Sequence, residues 1–273
     1  MGEIVISLTT VPSRARYLSQ FLDSIEKQTV LPSKIELNIP TEYHKRKLGK
    51  VDSNLIPSDL DVYDCEDYGP ATKILPTLKR YSDRETRIIY CDDDKIYDKN
   101  WVHNLVTASD DAPDSAICDE TISISSIIYR YHHPHKDLRY KVKKALSFGR
   151  FRPYRTDKSK DSDIAQGFGG VLVKPSFFTD AVFTIPEILW SVDDIWLSGD
   201  MTVKGTEIRW SGRPRDEKAK PVFVDGHNLG DFPDSLNLLE FDGFDRFEAD
   251  YYAVRYYQEN FGIWGGHDRT LGA

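Results

Sequence analysis

Through its first stretch of about 95 residues the chain alternates between a two-residue and a 3.6-residue hydrophobic period, which restricts it to a narrow set of folds. Glu3 to Leu8 (EIVISL), Ile35 to Ile39 (IELNI), Leu60 to Tyr63 and Arg87 to Cys91 are short β-branched or aromatic runs, the composition expected of strands. Between the first two, Leu18, Phe21, Leu22 and Ile25 recur at helical spacing, and Thr72 to Tyr81 predicts a second helix despite Pro76. Strands alternating with helices imply an α/β fold built on a mostly parallel sheet, whose ligands bind beyond the carboxyl ends of its strands. One such end reads RIIYCDDD and carries Asp92, Asp93 and Asp94 in succession.

Further along, Trp101 to Ala108 predicts a helix, and Ala116 to Tyr131, with its ISISSIIYRY, predicts a further strand or hairpin. Residues 132–163 break the pattern with charge, His and Arg and read as an excursion from the sheet, a mobile flap. Regular structure is expected again at Gly167 to Val173, Ser176 to Ala181, a capped helix start at Ser191 to Ser198, a late strand at Val222 to Asp225 and a closing helix from Asp245 to Phe261. No repeat, low-complexity tract or Pro/Gly/Ser linker divides the 273 residues. The expectation is one domain over residues 1–273, with a nucleotide-binding part at about 1–98 and an acceptor and catalytic part at about 99–273.

A net charge of −8 opposes a nucleic-acid backbone, so generic nucleic-acid binding is not expected. Within residues 136–160, however, ten Lys or Arg face two Asp, a local +8 that leaves −16 for the remainder. That basic segment either contacts an anionic acceptor, donor phosphates or a membrane surface, or is a solvated face. Its Tyr140, Phe148, Phe151 and Tyr154 would suit stacking on sugar rings or core packing. Cys65, Cys91 and Cys118 are odd in number and form no CxxC pair, which argues for a reducing compartment. With no secretory pattern at the start and no run of the ~20 apolar residues that a membrane span needs, a cytoplasmic location is expected.

Adjacent carboxylates repel one another, and a fold retains them where a cation or a strong donor set offsets the cost. Mg²⁺ or Mn²⁺ held by one or two carboxylates, water and a diphosphate meets that need. If the run is extended, Asp92 and Asp94 point the same way and Asp93 the other. The alternative is an acidic turn that caps the following helix. An EF-hand is excluded, since Tyr97 and His103 occupy the positions that would need Gly and Glu.

Taken together, VISLTTVPSR, EDYGPATK, IIYCDDDKIY, QGFGGVL and SVDDIWLSG resemble the motifs of a nucleotide-sugar glycosyltransferase of the GT-A type, over most of residues 3–230. The resemblance implies a mixed Rossmann-like sheet with a DxD motif at a strand end, whose metal bridges the donor's two phosphates. It implies that Asp94 ligates the metal and that Asp92 lies toward the ribose or a metal-bound water, with Asp93 beside them at the donor. The small stand-alone size is similar to enzymes of bacterial and large-virus glycan clusters, some of which transfer xylose or another pentose or a deoxyhexose.

The other motifs have readings of their own. Thr9-Thr10-Val11-Pro12-Ser13-Arg14 follows the first strand, where Thr9, Pro12 and Arg14 would receive the nucleotide, with Arg14 or Arg16 reaching a phosphate. Either arginine can equally be a surface residue at a helix start. In CEDYGPATK, Glu66 or Asp67 would accept the uracil N–H, Tyr68 would stack on the base and Lys73 would meet the diphosphate, although a Gly69-Pro70 turn explains the same letters. Gly169 and Gly170 would line the donor-sugar pocket or form a bulge. By resemblance, an acidic residue at a helix start deprotonates the acceptor hydroxyl; Asp194 matches that position and Asp193 replaces the usual Glu, leaving the base open between them. A helix cap is the alternative. His227, in VDGHNLGDF, matches by order a histidine that completes the metal shell, with His267 as its competitor.

The expected activity is transfer of a sugar from a nucleotide diphosphate, a UDP-sugar by preference, to a glycan hydroxyl with inversion and with Mn²⁺ or Mg²⁺. A metal-dependent nucleotidyltransferase and a non-catalytic glycan-binding module of the same fold are the rivals.

Overall fold

The structure, a computed structural model, describes residues 3–82, 85–133, 163–232 and 243–265, together with Leu146 and Asp234. Nearly all of the basic excursion, and His267, lie outside the described residues.

Seven strands form the central sheet: β1 (Ile4–Thr9), β2 (Lys34–Pro40), β3 (Asp61–Cys65), β4 (Arg87–Tyr90), β6 (Ser115–Cys118), β9 (Val171–Val173) and β10 (Glu207–Trp210), in the spatial order β10-β6-β9-β4-β1-β2-β3. All neighbours are parallel except β9, which runs antiparallel to both β4 and β6. The expected mixed, mostly parallel α/β sheet is therefore present. Three ribbons of two-residue strands lie off the sheet: β5 (Lys95–Ile96) with β11 (Lys220–Pro221), β7 (Thr121–Ile122) with β8 (Ile164–Ala165), and β12 (Phe223–Val224) with β13 (His227–Asn228).

The period of two in β1 explains the layering. Ile4, Ile6 and Leu8 face one side and pack with Leu18, Phe21 and Ile25 of α1 (Leu18–Ile25) and with Trp101 and Leu105 of α3 (Trp101–Asp111). Val5 faces the other side, among Leu75 and Leu78 of α2 (Leu75–Arg80), Ile127 of α4 (Ile124–His132), Trp196 of α5 (Asp193–Lys204) and Tyr257 of α6 (Arg246–Phe261). That second layer also holds a buried polar network. Ser7 Oγ donates to the Lys73 carbonyl at 2.5 Å, Asn38 Nδ2 donates to Ser7 Oγ and Thr77 Oγ1 at 3.1 Å each, and Arg80 Nη2 donates to Glu36 Oε2 at 2.5 Å. Buried polar groups that satisfy one another specify a single arrangement, and this one fixes the backbone that carries Lys73.

Several elements differ from the sequence expectation. Ala116 to Tyr131 is a strand (β6), a two-residue strand (β7) and then a helix: Ser123 caps α4 by accepting from Ser126 N at 3.2 Å, and Ile124, Ile127, Ile128 and Tyr131 share a helical face. Thr72 to Tyr81 is split into a 3₁₀ turn, Gly69–Lys73, and the six-residue α2; Pro76 is accommodated in the first turn of α2, where its missing N–H has no partner to lose. Ser176 to Ala181 runs from the end of one 3₁₀ turn, Pro175–Phe177, into the start of another, Asp180–Phe183. The late strand at Val222 to Asp225 is the β12–β13 hairpin, turned by Asp225 (φ 50°) and Gly226 (φ 81°), the Asp-Gly pair suited to a two-residue loop. The edge strand β10 is not anticipated. Among the described residues no helix is long and apolar enough to cross a membrane.

Candidate active site

The sheet order reverses between β1 and β4, since β2 and β3 lie to one side of β1 and β4 to the other. At such a switch point the loops after the two strands splay apart and leave a crevice at their carboxyl ends. A cavity of about 590 Å³ occupies it. Thr9, Thr10 and Arg14 reach it from β1, Asp92, Asp93 and Asp94 from β4, Asp67 and Lys73 from the loop after β3, and Asp193 and Asp194 from the first turn of α5.

The acidic side chains of the two motifs have defined partners. Thr10 Oγ1 donates to Asp93 Oδ2 at 2.6 Å, and Arg14 Nη1 lies 3.3 Å from Asp93 Oδ1 and 3.5 Å from Asp94 Oδ2. Lys95 pairs with Asp94. Lys73 pairs with Asp92, and its Nζ is also 3.0 Å from Asp193 Oδ2, an ionic contact that lacks hydrogen-bond alignment. Asp194 Oδ1 accepts the Gly167 N–H at 2.8 Å. Lys73, only 6% exposed, thus joins the two acidic motifs, which stand about a hundred residues apart in the chain.

These environments separate the carboxyls. Burial works to raise Asp92, but Lys73 and Lys95 hold it below its ordinary value. Burial raises Asp93 against the pull of Arg14. Burial, reinforced by neighbouring Asp193 and only partly opposed by Lys73, pushes Asp194 up to about 7. Lys73 stays charged, because Asp193, Asp92 and Asp194 outweigh its own burial and lift it well above the usual lysine range. Behind them Tyr90, fully buried at the end of β4, has its phenol raised well above 10 by burial and by Asp194 and Asp193. Its hydroxyl has no hydrogen-bond partner among the described residues.

Gly167 explains how the two motifs come so close. A Cβ on this residue would sit 2.9 Å from Lys73 Nζ, 3.3 Å from Asp194 Oδ1 and 3.5 Å from Tyr90 Cε2. A side chain there would push the lysine ammonium aside.

Other expected residues are placed elsewhere. Gly169 and Gly170 do not line the cavity: a Cβ on Gly169 would meet Glu120 at 2.8 Å, and Gly170, at φ 91°, lies against the Trp101 ring. Gln166 and Phe168 are the residues of this loop that line it. Tyr68 packs beside the second core layer, with Lys79 over its ring, and neither it nor Pro12 lines the cavity. Asp67 does, but its oxygens accept the backbone N–H groups of Gly69 and His44, both at 2.8 Å, so it also ties two loops together. His227 is exposed on the β12–β13 hairpin and lines a separate cavity of about 310 Å³. The turn that follows, at Asn228, Gly230 and Asp231, is what reaches the main cavity; a Cβ on Gly230 would be 3.0 Å from Asp94 Oδ2. Sequence reasoning misses Tyr43, Arg46, Trp190 and Arg246 as lining residues. Their positions after other strands, or on α6, carry no local motif.

The donor chemistry suits a hard divalent cation only in part. Among the described residues no three His, Cys, Asp or Glu side chains are grouped to hold an ion by themselves. Asp92 and Asp94 supply hard oxygens, at present matched by Lys73, Lys95 and Arg14. Such a site fits an ion that keeps water and substrate oxygens in its shell, as Mg²⁺ does, and does not form an all-protein cage. Nine carboxylates against six cationic side chains line the cavity, so a bare diphosphate would be repelled and one accompanied by a divalent cation would not.

No family model matches this chain, and no curated protein matches it. Among solved structures the chain is similar to S. aureus TarS 1-349, with 14% identity over 81% of this chain and 60% of that one at a TM-score of 0.49. The complex of that protein with UDP gives 13% identity over 81% and 61%, TM-score 0.48, and the complex with UDP-GlcNAc 12% over 84% and 61%, TM-score 0.49. The chain spans about three fifths of the length of these structures. A likeness this slight carries neither a shared activity nor a shared site.

Proposed function

We propose that the protein is a nucleotide-sugar glycosyltransferase that moves a sugar from a nucleoside diphosphate, UDP by preference, to a glycan hydroxyl with inversion. The observation that carries this reading is the pair of acidic motifs joined by Lys73 in one cavity at the switch point, Asp92 to Asp94 on one side and Asp193 with Asp194 on the other. It agrees with the motif resemblance of the sequence, which assigns the same two clusters to donor and acceptor.

In this reading Thr9, Thr10 and Arg14 receive the nucleotide, and Lys73 with Arg14 holds the diphosphate. Asp194, whose carboxyl lies near neutrality, takes the proton from the acceptor hydroxyl. The hydroxyl oxygen then bonds to the anomeric carbon as the bond from that carbon to the diphosphate oxygen breaks, and UDP departs with the electron pair. Asp92 and Asp94 would hold Mn²⁺ or Mg²⁺, which supplies charge neutralisation on the leaving diphosphate. His227, exposed and not itself among the residues that line the main cavity, stands outside that set in this reading.

The test is a panel of nucleotides and nucleotide sugars in a thermal-shift assay with Mn²⁺, followed by mass spectrometry of donor hydrolysis. Stabilisation by UDP or a UDP-sugar with release of UDP is expected, and Asp94→Ala should abolish both. Stabilisation by CTP or UTP alone would favour nucleotidyl transfer instead.

A further inference from the structure

Lys73 is claimed twice. The proposed reaction needs its ammonium on the donor diphosphate, while the structure binds it to Asp92 and Asp193. Moving it takes from Asp193, only 4% exposed, the one ion-pair contact it has among the described residues, a loss that folded proteins avoid unless a donor replaces the partner.

Such a donor is already in place. Tyr90 is 0% exposed, and among the described residues its buried hydroxyl has no hydrogen-bond partner and Asp193 Oδ2 accepts none. A donor behind the cavity and an acceptor lining it are therefore both without a hydrogen bond. Lys73 links the two: its ammonium and the Tyr90 ring edge lie 2.9 and 3.5 Å from the place where a Cβ on Gly167 would be, and the same ammonium is 3.0 Å from Asp193 Oδ2. A buried hydroxyl left unpaired is a cost that folds seldom retain without a use.

We propose that Tyr90 is a positioning residue that hydrogen-bonds Asp193 when Lys73 leaves it for the donor diphosphate, so that the acidic pair keeps its place beside the acceptor. The inference rests on the glycosyltransferase reading of the site. Tyr90 touches neither substrate; it acts through Asp193, and its hydrogen bond exists in the donor-bound protein and not in the free one.

The experiment is a double-mutant cycle with Tyr90→Phe, Asp193→Asn and their combination, read by melting temperature without ligand and by calorimetric affinity for UDP with Mn²⁺. Without UDP, Tyr90→Phe should melt at or above the wild-type temperature, since it removes an unpaired buried hydroxyl and keeps the ring. With UDP it should bind about 10-fold more weakly or worse, the scale of a lost hydrogen bond to a charged group. In the Asp193→Asn background, where no charge is stranded, the same change should have little effect on affinity. Melting of Tyr90→Phe below wild type would show the hydroxyl already paired in the free protein and overturn the proposal. Wild-type affinity in Tyr90→Phe, or an equal loss in both backgrounds, would overturn it while leaving the glycosyltransferase reading intact. Failure of wild-type protein to bind UDP would overturn both.

Discussion

Asp194 is under two opposing demands. Its carboxyl, pushed up to about 7 by burial and by Asp193, ionises in the range where a base must work, but ionising it in the fold is unfavourable. The sign follows from proton linkage. The native state holds this proton more tightly than the unfolded chain, so stability falls as pH rises from the ordinary aspartate value toward 7 and levels off above it. Asp194→Asn should therefore raise the melting temperature more at pH 8 than at pH 4.5, and lower transfer by roughly 10²-fold or more with UDP binding largely kept. For the wild type, kcat/KM should rise with pH and reach its plateau above about 7, a limb that disappears in the variant. Gly167→Ala is the companion test. Its methyl would press on Lys73 Nζ and Asp194 Oδ1, so activity should drop about 10-fold or more with only a small change in melting temperature, in keeping with the cost of ångström-scale misplacement.

At the scale of elements, what was legible in the sequence depended on how many signals agreed. β1 to β4 and α1 are readable because period, β-branching and punctuation coincide, and the positions of Asp92 to Asp94 and Asp193–Asp194 at element ends follow directly. ISISSIIYRY carries both periods: alternation in its first residues and a helical face from Ile124 onward, and the Ser123 cap decides between them. The glycine loop shows the opposite difficulty. Its composition is evident, but what each glycine packs against is set by residues remote in sequence: Gly169 and Gly170 lie on Glu120 and Trp101, and Gly167 lies on Lys73 and Asp194. α6 has the clearest local signal in the chain. Asp245 accepts from Phe247 N and Glu248 N at 2.9 and 3.0 Å, and Glu248 returns a bond to Asp245 N at 2.9 Å. Because α6 supplies Arg246 to the cavity and Tyr257 to the core, Asp245→Ala should cost about 1 kcal/mol of stability, measurable by urea unfolding.

For the whole molecule, one sheet with apolar layers on both faces brings its functional groups to a single end. The antiparallel course of β9 makes this possible: the loop before it, with Gly167, arrives at the same end as the loops that follow β4 and β6. That geometry has a consequence for how the protein is made. β9 must enter between two strands that precede it by some fifty residues or more, so its pairing closes long loops and waits until β4 and β6 are in place. Competence should therefore be the last property acquired on renaturation, with UDP binding recovering more slowly than the far-ultraviolet circular dichroism of the helices. A chain still emerging from the ribosome would hold all three carboxylates of Asp92 to Asp94 before it could hold a donor in place.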